Sequence, residues 1–427
     1  MGISFEIVGE NNFPTENLTI PDIFTPKERE YQAIAMKTWM RLRNGIIKAS
    51  TRAGKTPVFG HIAKALIEEQ PNIKIAFLTE SKDIFNQNKK EIAKFIGAKV
   101  GEVVGSKFDT DHNVTCVMAQ TVDAAFRLRK REKGYRGAQE FRYPDKAAKM
   151  TLLLKKFDMV CVDECHKFIG TQRRKVIQRF SSARYLLGLS ATPFKKSDPI
   201  NSHRMYGILG GEVYKIGEKK LRKNKILTTD EIVFIKAKNY KNTLDYQSCY
   251  TENIIHSKDR MKYTMDIVDI CKELGLKLLI FVDRIEHGEL YAEAIGCEFV
   301  HGGHSDEDRQ KYKSEFLEME GGVLVSSSIF LAGVSFTEVD CTIALAGGLE
   351  ETRQQQRRGR ALGVGKRDRS MTFDFLDEEP KYLRKHSYAR MRAYENQSEG
   401  LKANKLDLSV EGKKEQLKKH MIKWFKL

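Results

Sequence analysis

The feature that most constrains this chain is a rhythm. Short apolar runs with the composition of buried strands alternate with amphipathic helical stretches, and the alternation occurs twice. In the first half the strand-like runs are "GIIKAS", "IKIAFLTE", "VTCVMAQTV", "FDMVCVDECH" and "YLLGLSATP". Between them lie helical patterns such as "PVFGHIAKALIEEQ" and "DIFNQNKKEIAKFIG". A second series holds "LKLLIFVDR", "CEFVHG", "GGVLVSSS" and "CTIALAG", with helices "IEHGELYAEAIG" and "SDEDRQKYKSEFLEME" between them. Strands that alternate with helices predict parallel sheets covered on both faces. The chain therefore reads as α/β with two units, and 427 residues suffice for both.

The boundaries follow from breaks in the rhythm. Residues 1–26 carry turn signals at Asn11, Asn12, Pro14, Pro21 and Pro26 and read as an N-terminal extension. The first unit covers 27–225, the second 226–395, and 396–427 reads as a basic amphipathic tail that packs on a domain or touches a phosphate backbone. Residues 127–156 interrupt the first unit with eleven Lys or Arg against three Asp or Glu, interleaved with Tyr135, Phe141 and Tyr143. A solvated helical face and a nucleic-acid contact both suit that run.

Composition narrows the partners. The net charge of +17 favours a polyanion, with solubility as the plain alternative. Seven scattered cysteines without a C-x-x-C pattern argue against a disulfide framework or a zinc ribbon and fit a reducing compartment. His301 and His304 have no second ligand cluster nearby in sequence and read as loop histidines. There is no apolar run of about 18 residues to span a membrane. The opening "MGISFEIVG" lacks a secretory pattern, and Glu6 stands where a myristoylation motif needs Ser or Thr.

The chemistry centres on "KASTRAGKTPVFG". A strand, a loop of small residues and a helix start can aim successive backbone N–H groups at phosphate. Lys55 then reaches the β- and γ-phosphates and Thr56 holds Mg²⁺. The usual pattern opens with glycine, and here that position is Ala49. In "VCVDECH" an apolar strand delivers Asp163 and Glu164 to its C-terminal end, where α/β sheets bind ligands. Asp163 suits Mg²⁺ through water, and Glu164 suits the orientation and deprotonation of an attacking water. "GLSATPF" adds hydroxyls at Ser190 and Thr192, and "QQQRRGRALG" adds arginines able to act as trans-domain fingers.

In this order the motifs resemble superfamily 2 nucleic-acid helicases of the DExH kind, over roughly residues 27–365. "REYQ" resembles the adenine-recognition motif, with Arg29, Tyr31 and Gln32. "STRAGKT" resembles motif I, from Ser50 through Thr51, Arg52, Ala53, Gly54 and Lys55 to Thr56, and this family commonly uses alanine at its first position. "FLTESKDIFNQ", with Thr79 and Ser81, and "MAQTV", with Gln120 and Thr121, resemble motifs Ia and Ib. "DECH" and "SAT" resemble motifs II and III, the latter being Ser190, Ala191 and Thr192. "LIFVDR" (Asp283, Arg284) and "VLVSSSIFLAGVSF" (Ser326, Ser327, Gly333) resemble motifs IV and V. "QRRGR" resembles motif VI, with Gln356, Arg357 and Arg360. Two positions depart from the pattern: Ser335 replaces a frequent Asp, and Gly363 replaces a frequent second Arg. Among relatives, the short basic chain looks most like phage UvsW-type recombination helicases.

The resemblance implies two tandem RecA-like domains with an ATP cleft between them, and ATP and Mg²⁺ as cofactors. It implies Lys55, Asp163, Glu164, His166, Gln356, Arg357 and Arg360 in catalysis, with Thr56, Asp163 and Glu164 at the metal. His166, Ser190, Ala191 and Thr192 would couple the ATP and nucleic-acid sides. The expected partner is single-stranded, forked or branched DNA rather than RNA, its strand held largely at the phosphates by motifs Ia, Ib, IV and V through Thr79, Ser81, Gln120, Thr121, Asp283, Arg284, Ser326 and Ser327, with Arg129, Lys130 and Arg131 as junction or duplex contacts. The chain is expected to be monomeric, off the membrane, and in the cytoplasm of an infected host cell or on the nucleoid. A duplex translocase, an RNA helicase and a P-loop kinase or regulatory ATPase without nucleic acid are the competing readings.

Overall fold

The computed structural model describes residues 30–50, 53–80, 82–127, 141–194, 198–238, 240–243, 245–327, 338–348, 367–397 and 402–427. Among them lie two sheets built as the alternation predicts.

The first sheet comprises β1 (Asn44–Ala49), β2 (Ile75–Thr79), β3 (Gly101–Val104), β4 (Lys107–Asp109), β5 (Val114–Met118), β6 (Met159–Asp163), β7 (Tyr185–Ser190) and β8 (Glu212–Ile216). Its order is β4-β3-β5-β2-β6-β7-β1-β8, parallel except for the β3–β4 hairpin. The helices are α1 (Glu30–Leu42), α2 (Lys55–Glu69), α3 (Lys82–Ile96), α4 (Ala119–Ala125), α5 (Pro144–Leu154), α6 (Thr171–Gln178), α7 (Pro199–Leu209) and α8 (Glu218–Lys223). Alternate strand residues enter opposite cores, as the two-residue period of a strand requires. Ile47, Ile75 and Phe77 pack with Trp39, Phe59 and Ile92 on one face. Ile46, Ala76 and Leu78 pack with Met150, Leu154 and Met205 on the other.

The second sheet holds β9 (Thr229–Ala237), β10 (Leu278–Phe281), β11 (Phe299–Val300), β12 (Val323–Ser326), β13 (Cys341–Ala344), β14 (Arg369–Asp377) and β15 (Asn404–Leu406). Its order is β11-β12-β10-β13-β14-β9-β15, with every pairing parallel. Its helices are α9 (Tyr246–Tyr250), α10 (Lys258–Glu273), α11 (Ile285–Ile295), α12 (Asp306–Glu318), α13 (Lys381–Gln397) and α14 (Lys413–Phe425).

Four local expectations change. The strand in "VTCVMAQTV" ends at Met118, and Gln120 and Thr121 open α4 instead. Of the basic run 127–156, residues 128–140 lie outside the described residues. Its second half is α5, which buries Ala147, Met150 and Leu154 at helical spacing, and the backbone closes ahead of it, where Arg142 N–H donates to Arg127 O at 2.7 Å. The C-terminal tail belongs to the second unit: β15 extends the sheet and α14 buries Leu417, Met421 and Phe425 in its core. Finally, β14 lies between β13 and β9 in the middle of the sheet, yet "RSMTFDFLD" was not among the expected strands.

Buried charge explains that last omission. Asp374 and Asp377 in β14 are fully buried. Arg390 of α13 grips Asp374 through Nη2 to Oδ1 at 3.0 Å and Nε to Oδ2 at 3.1 Å. Arg260 of α10 pairs with Asp377, donates through Nε to Asn253 O at 3.2 Å and lies 4.6 Å from the Phe375 ring centroid. Removing one member of such a pair leaves a buried charge alone, which costs about 3–5 kcal/mol. Asp377→Ala is therefore expected to lose about that much stability, measured as a lower urea midpoint. A loss under about 1 kcal/mol would mean that water, not Asp377, satisfies Arg260.

Candidate nucleotide-binding site

Parallel pairing sets the site. Lys48 of β1 stands opposite Ser190 of β7, and Leu189 of β7 stands opposite Asp163 of β6. The strand ends that carry the phosphate loop, the paired acids and the Ser-Ala-Thr segment thus share one edge of the first sheet.

Glycine is required at the loop's last turn. Gly54 caps α2 in a left-handed conformation, with φ at +76°. A Cβ there would sit 2.3 Å from Gln32 Nε2. The loop is held from α1: Tyr31 OH donates to Ala53 O at 3.2 Å, and Gln32 Nε2 donates to the same oxygen at 3.3 Å. Ala53 is buried, and Ser50 Oγ donates to Ile216 O at 3.2 Å. The α2 N-terminus has no side-chain cap, which leaves its backbone donors to a ligand. Gln32 Oε1 is buried without a partner among the described residues, so one acceptor of the expected adenine-reading amide remains available.

The acids meet the loop directly. Lys55 Nζ lies 2.7 Å from Glu164 Oε1. Glu164 adopts a left-handed backbone with φ at +46°, a strained choice for a residue with a Cβ. That turn brings its amide to Asp163 Oδ1 at 2.9 Å. Asp163 Oδ2 accepts from Asn88 Nδ2 at 3.3 Å, and Asn88 Oδ1 accepts from Thr56 Oγ1 at 3.2 Å. Asn88 is the residue that sequence reading missed. Its signal was a polar side chain on the buried stripe of α3, in step with Phe85 and Ile92.

Burial and the neighbouring Glu164 charge push Asp163 up to about 6, against the pull of Lys55. Burial would raise Glu164 as well, but Lys55 and His166 overcome it and hold this carboxylate well below the usual range. Burial would lower Lys55, and Glu164 and Asp163 outweigh it and raise it. The Lys55–Glu164 pair therefore lies beside a carboxylate whose proton affinity burial and Glu164 raise.

His166 extends the network to β7. Its Nδ1 lies 2.9 Å from Ser190 Oγ and 3.3 Å from Glu164 Oε2. Ser190 Oγ in turn accepts from Thr192 N at 3.0 Å, with Ala191 between them half-buried. His166 Nε2 and Thr192 Oγ1 are buried without partners among the described residues.

The expected nucleic-acid residues divide. Thr79 ends β2 on the same sheet edge but is buried. Thr121 is also buried and accepts from Gly105 N at 2.9 Å, a structural bond. Gln120 is exposed and donates to Glu80 O. In the second unit Asp283 and Arg284 follow β10, and Arg284 donates to Thr251 Oγ1 at 3.2 Å with its guanidinium 4.5 Å over the Tyr250 ring. Ser326 is buried, and its Oγ donates to Ser327 O at 2.8 Å. Arg29, Thr51, Arg52, Ser81, Arg129, Lys130, Arg131, Gly333, Gln356, Arg357 and Arg360 lie outside the described residues, as do the departures at Ser335 and Gly363.

Among the described residues no cluster of three His, Cys, Asp or Glu side chains forms a metal cage. Mg²⁺ does not require one, because it keeps waters and takes most other ligands from phosphate. The Thr56–Asn88–Asp163 chain fits that donor set, and the uncapped helix with its Gly54 cradle fits the phosphates.

Two family profiles match in tandem. The one described as type III restriction enzyme, res subunit, covers residues 25–195, and the helicase conserved C-terminal domain covers 259–365. The DNA 3'-5' translocase XPB2 of Sulfurisphaera tokodaii is 25% identical over 78% of this chain and 78% of its own length. A Sulfolobus islandicus filamentous virus protein named for a helicase is 24% identical over 94% of this chain and 74% of its own. The structure of S. cerevisiae Dbp5 bound to RNA and ADP BeF3 superposes with a TM-score of 0.62 at 14% identity, covering 93% of this chain and 94% of that one. The two profiles fall on the two parallel sheets in turn, and the chain belongs to the superfamily 2 helicases, which are ATP-hydrolysing enzymes with tandem RecA-like domains.

Proposed function

We propose that this chain is a DNA motor: it hydrolyses ATP to move along DNA and to unwind or remodel forked or branched duplexes in replication, recombination or repair. One observation carries the reading. A continuous set of contacts runs from Thr56 and Lys55 through Asn88, Asp163, Glu164 and His166 to Ser190. The phosphate loop and the acids are thereby linked to the Ser-Ala-Thr segment at the end of β7, a chain of side chains through which a change at the nucleotide can reach the next strand, as a motor needs and a simple phosphotransferase does not. The net charge of +17 supports a polyanionic track.

Thr56 and Asp163 are the residues that would hold Mg²⁺, which supplies charge neutralisation at the β- and γ-phosphates. Lys55 has two uses for its charge. While it pairs with Glu164, that carboxylate is too weak a base to take a proton from water. When Lys55 turns toward phosphate, Glu164 loses its largest stabilising charge and its proton affinity rises. His166 then remains Glu164's partner and passes the change to Ser190. By the motif resemblance, Arg360, with Arg357 and Gln356 of the same motif, would act from the second unit, and Gln32 would select adenine.

A relative named as a translocase favours a second reading, movement along duplex without strand separation. Displacement of a labelled strand from a fork supports the helicase reading. Displacement of a triplex-forming strand without fork unwinding supports the translocase.

Three variants test the site. Lys55→Ala is expected to abolish ATP hydrolysis while leaving DNA binding; wild-type turnover in this variant would refute the assignment. Arg360→Ala should retain ATP binding yet lower turnover by about 10³-fold or more, and unchanged turnover would move the finger to Arg357. Ser190→Ala removes the hydroxyl that faces His166. It should keep at least a third of the ATPase rate but lose most strand displacement, and a proportional loss of both would remove Ser190 from coupling.

A further inference from the structure

A concave site of about 470 Å³ lies between α4 and α6, and none of the residues assigned to the ATP site is among the described residues that line it. Phe126, Phe141, Arg127, Lys175 and Arg179 line it, with Asp123 as the one carboxylate among the described residues. The Arg179 guanidinium lies 4.1 Å over the Phe126 ring and 5.5 Å from that of Phe141, and the two phenyl rings meet edge-to-face at 5.7 Å. Arg127 and Lys175 are exposed. Among the described residues, Arg127, Lys175 and Arg179 form no ion pair. Packing accounts for Arg179 over Phe126, but it gives no reason for two further cations around the same concavity that have no ion-pair partner among the described residues.

We infer that this concavity is a second DNA site, which holds one nucleotide of a fork or branch arm outside the motor's own track. Its chemistry is that of a nucleic-acid pocket: cations for phosphate, and an aromatic face and a flat guanidinium on which a base can stack. The two rings hold Arg179 in place before binding, which reduces the ordering needed when a ligand arrives. Position argues for an arm rather than the track. Gln120 opens α4 at the sheet edge, and Ala125 ends the helix beside the pocket. A seven-residue helix spans about 10 Å, roughly three nucleotides of a stacked strand along one side. The bond between Arg142 N and Arg127 O fixes Phe141 next to Phe126, and the exposed Tyr143 ring, with Arg142 at 5.4 Å, adds an aromatic surface on the rim.

The inference rests on the DNA reading above, and the test separates the two. Binding of the full chain to a fork is followed by fluorescence anisotropy across a salt series. In Arg127→Ala/Lys175→Ala the slope of log K against log salt should fall by about two units, one per lost phosphate contact. Phe141→Leu should weaken fork binding about tenfold and leave the slope unchanged, because it removes stacking and no charge. A fork with 4-thiothymidine in its arm should cross-link under ultraviolet light to the peptide that carries Phe141. An unaltered slope in the double variant, or cross-links confined to other peptides while the unaltered chain binds the fork, would overturn the pocket alone. An unaltered chain that binds no DNA would overturn the pocket and the DNA reading together.

Discussion

The parallel pairing of β6, β7 and β1 is the constraint on which the site depends. Parallel strands end on the same edge, and two strand spacings separate β6 from β1 by about 10 Å. Within that width the phosphate loop, the acids and the Ser-Ala-Thr segment come within reach of single side chains. Lys55 closes the gap to Glu164, and His166 closes it to Ser190. An antiparallel β7 would send Ser190 to the opposite edge and break the link.

The cost of the arrangement is local. Glu164 keeps a left-handed backbone, and Asp163 keeps a carboxylate that burial and its neighbour oppose. Both are tolerable because β6 and the short helix after it are anchored by Cys161, Cys165 and Phe168, all buried. The second unit uses buried charge differently. Its Asp374–Arg390 and Asp377–Arg260 pairs tie the interior strand β14 to α13 and α10. Arg390 Nη1 also donates to Gly348 O at 3.4 Å, and His386 Nδ1 lies 3.2 Å from Gly347 O, so α13 holds the backbone just ahead of the arginine-rich motif.

Much of the fold was legible in the sequence because apolar runs of strand length are unambiguous when helices separate them. The site was legible where spacing encodes geometry: a small-residue loop before Lys55, and two acids at a strand end. Three features were hidden for physical reasons. β14 carries acids whose partners lie on other elements, Arg390 sixteen residues on in the next helix and Arg260 117 residues back in α10, so it does not read as buried. α14 alternates lysines with an apolar stripe, so the sequence shows an amphipathic tail suited to packing, but only the fold shows that the second unit's own core receives it. Asn88 is one amide on an apolar helix face, and only the fold places it between Thr56 and Asp163. Gln32, expected to read adenine, also secures the loop through its amide nitrogen, a role that requires Gly54 beside it.

The central claim is that ATP turnover in the first unit is tied to DNA. The most direct measurement compares the steady-state ATPase rate of the whole chain without nucleic acid, with forked DNA and with an RNA duplex of the same shape. The fork is expected to raise the rate severalfold or more, and RNA much less. An ATPase rate indifferent to nucleic acid would contradict the central claim.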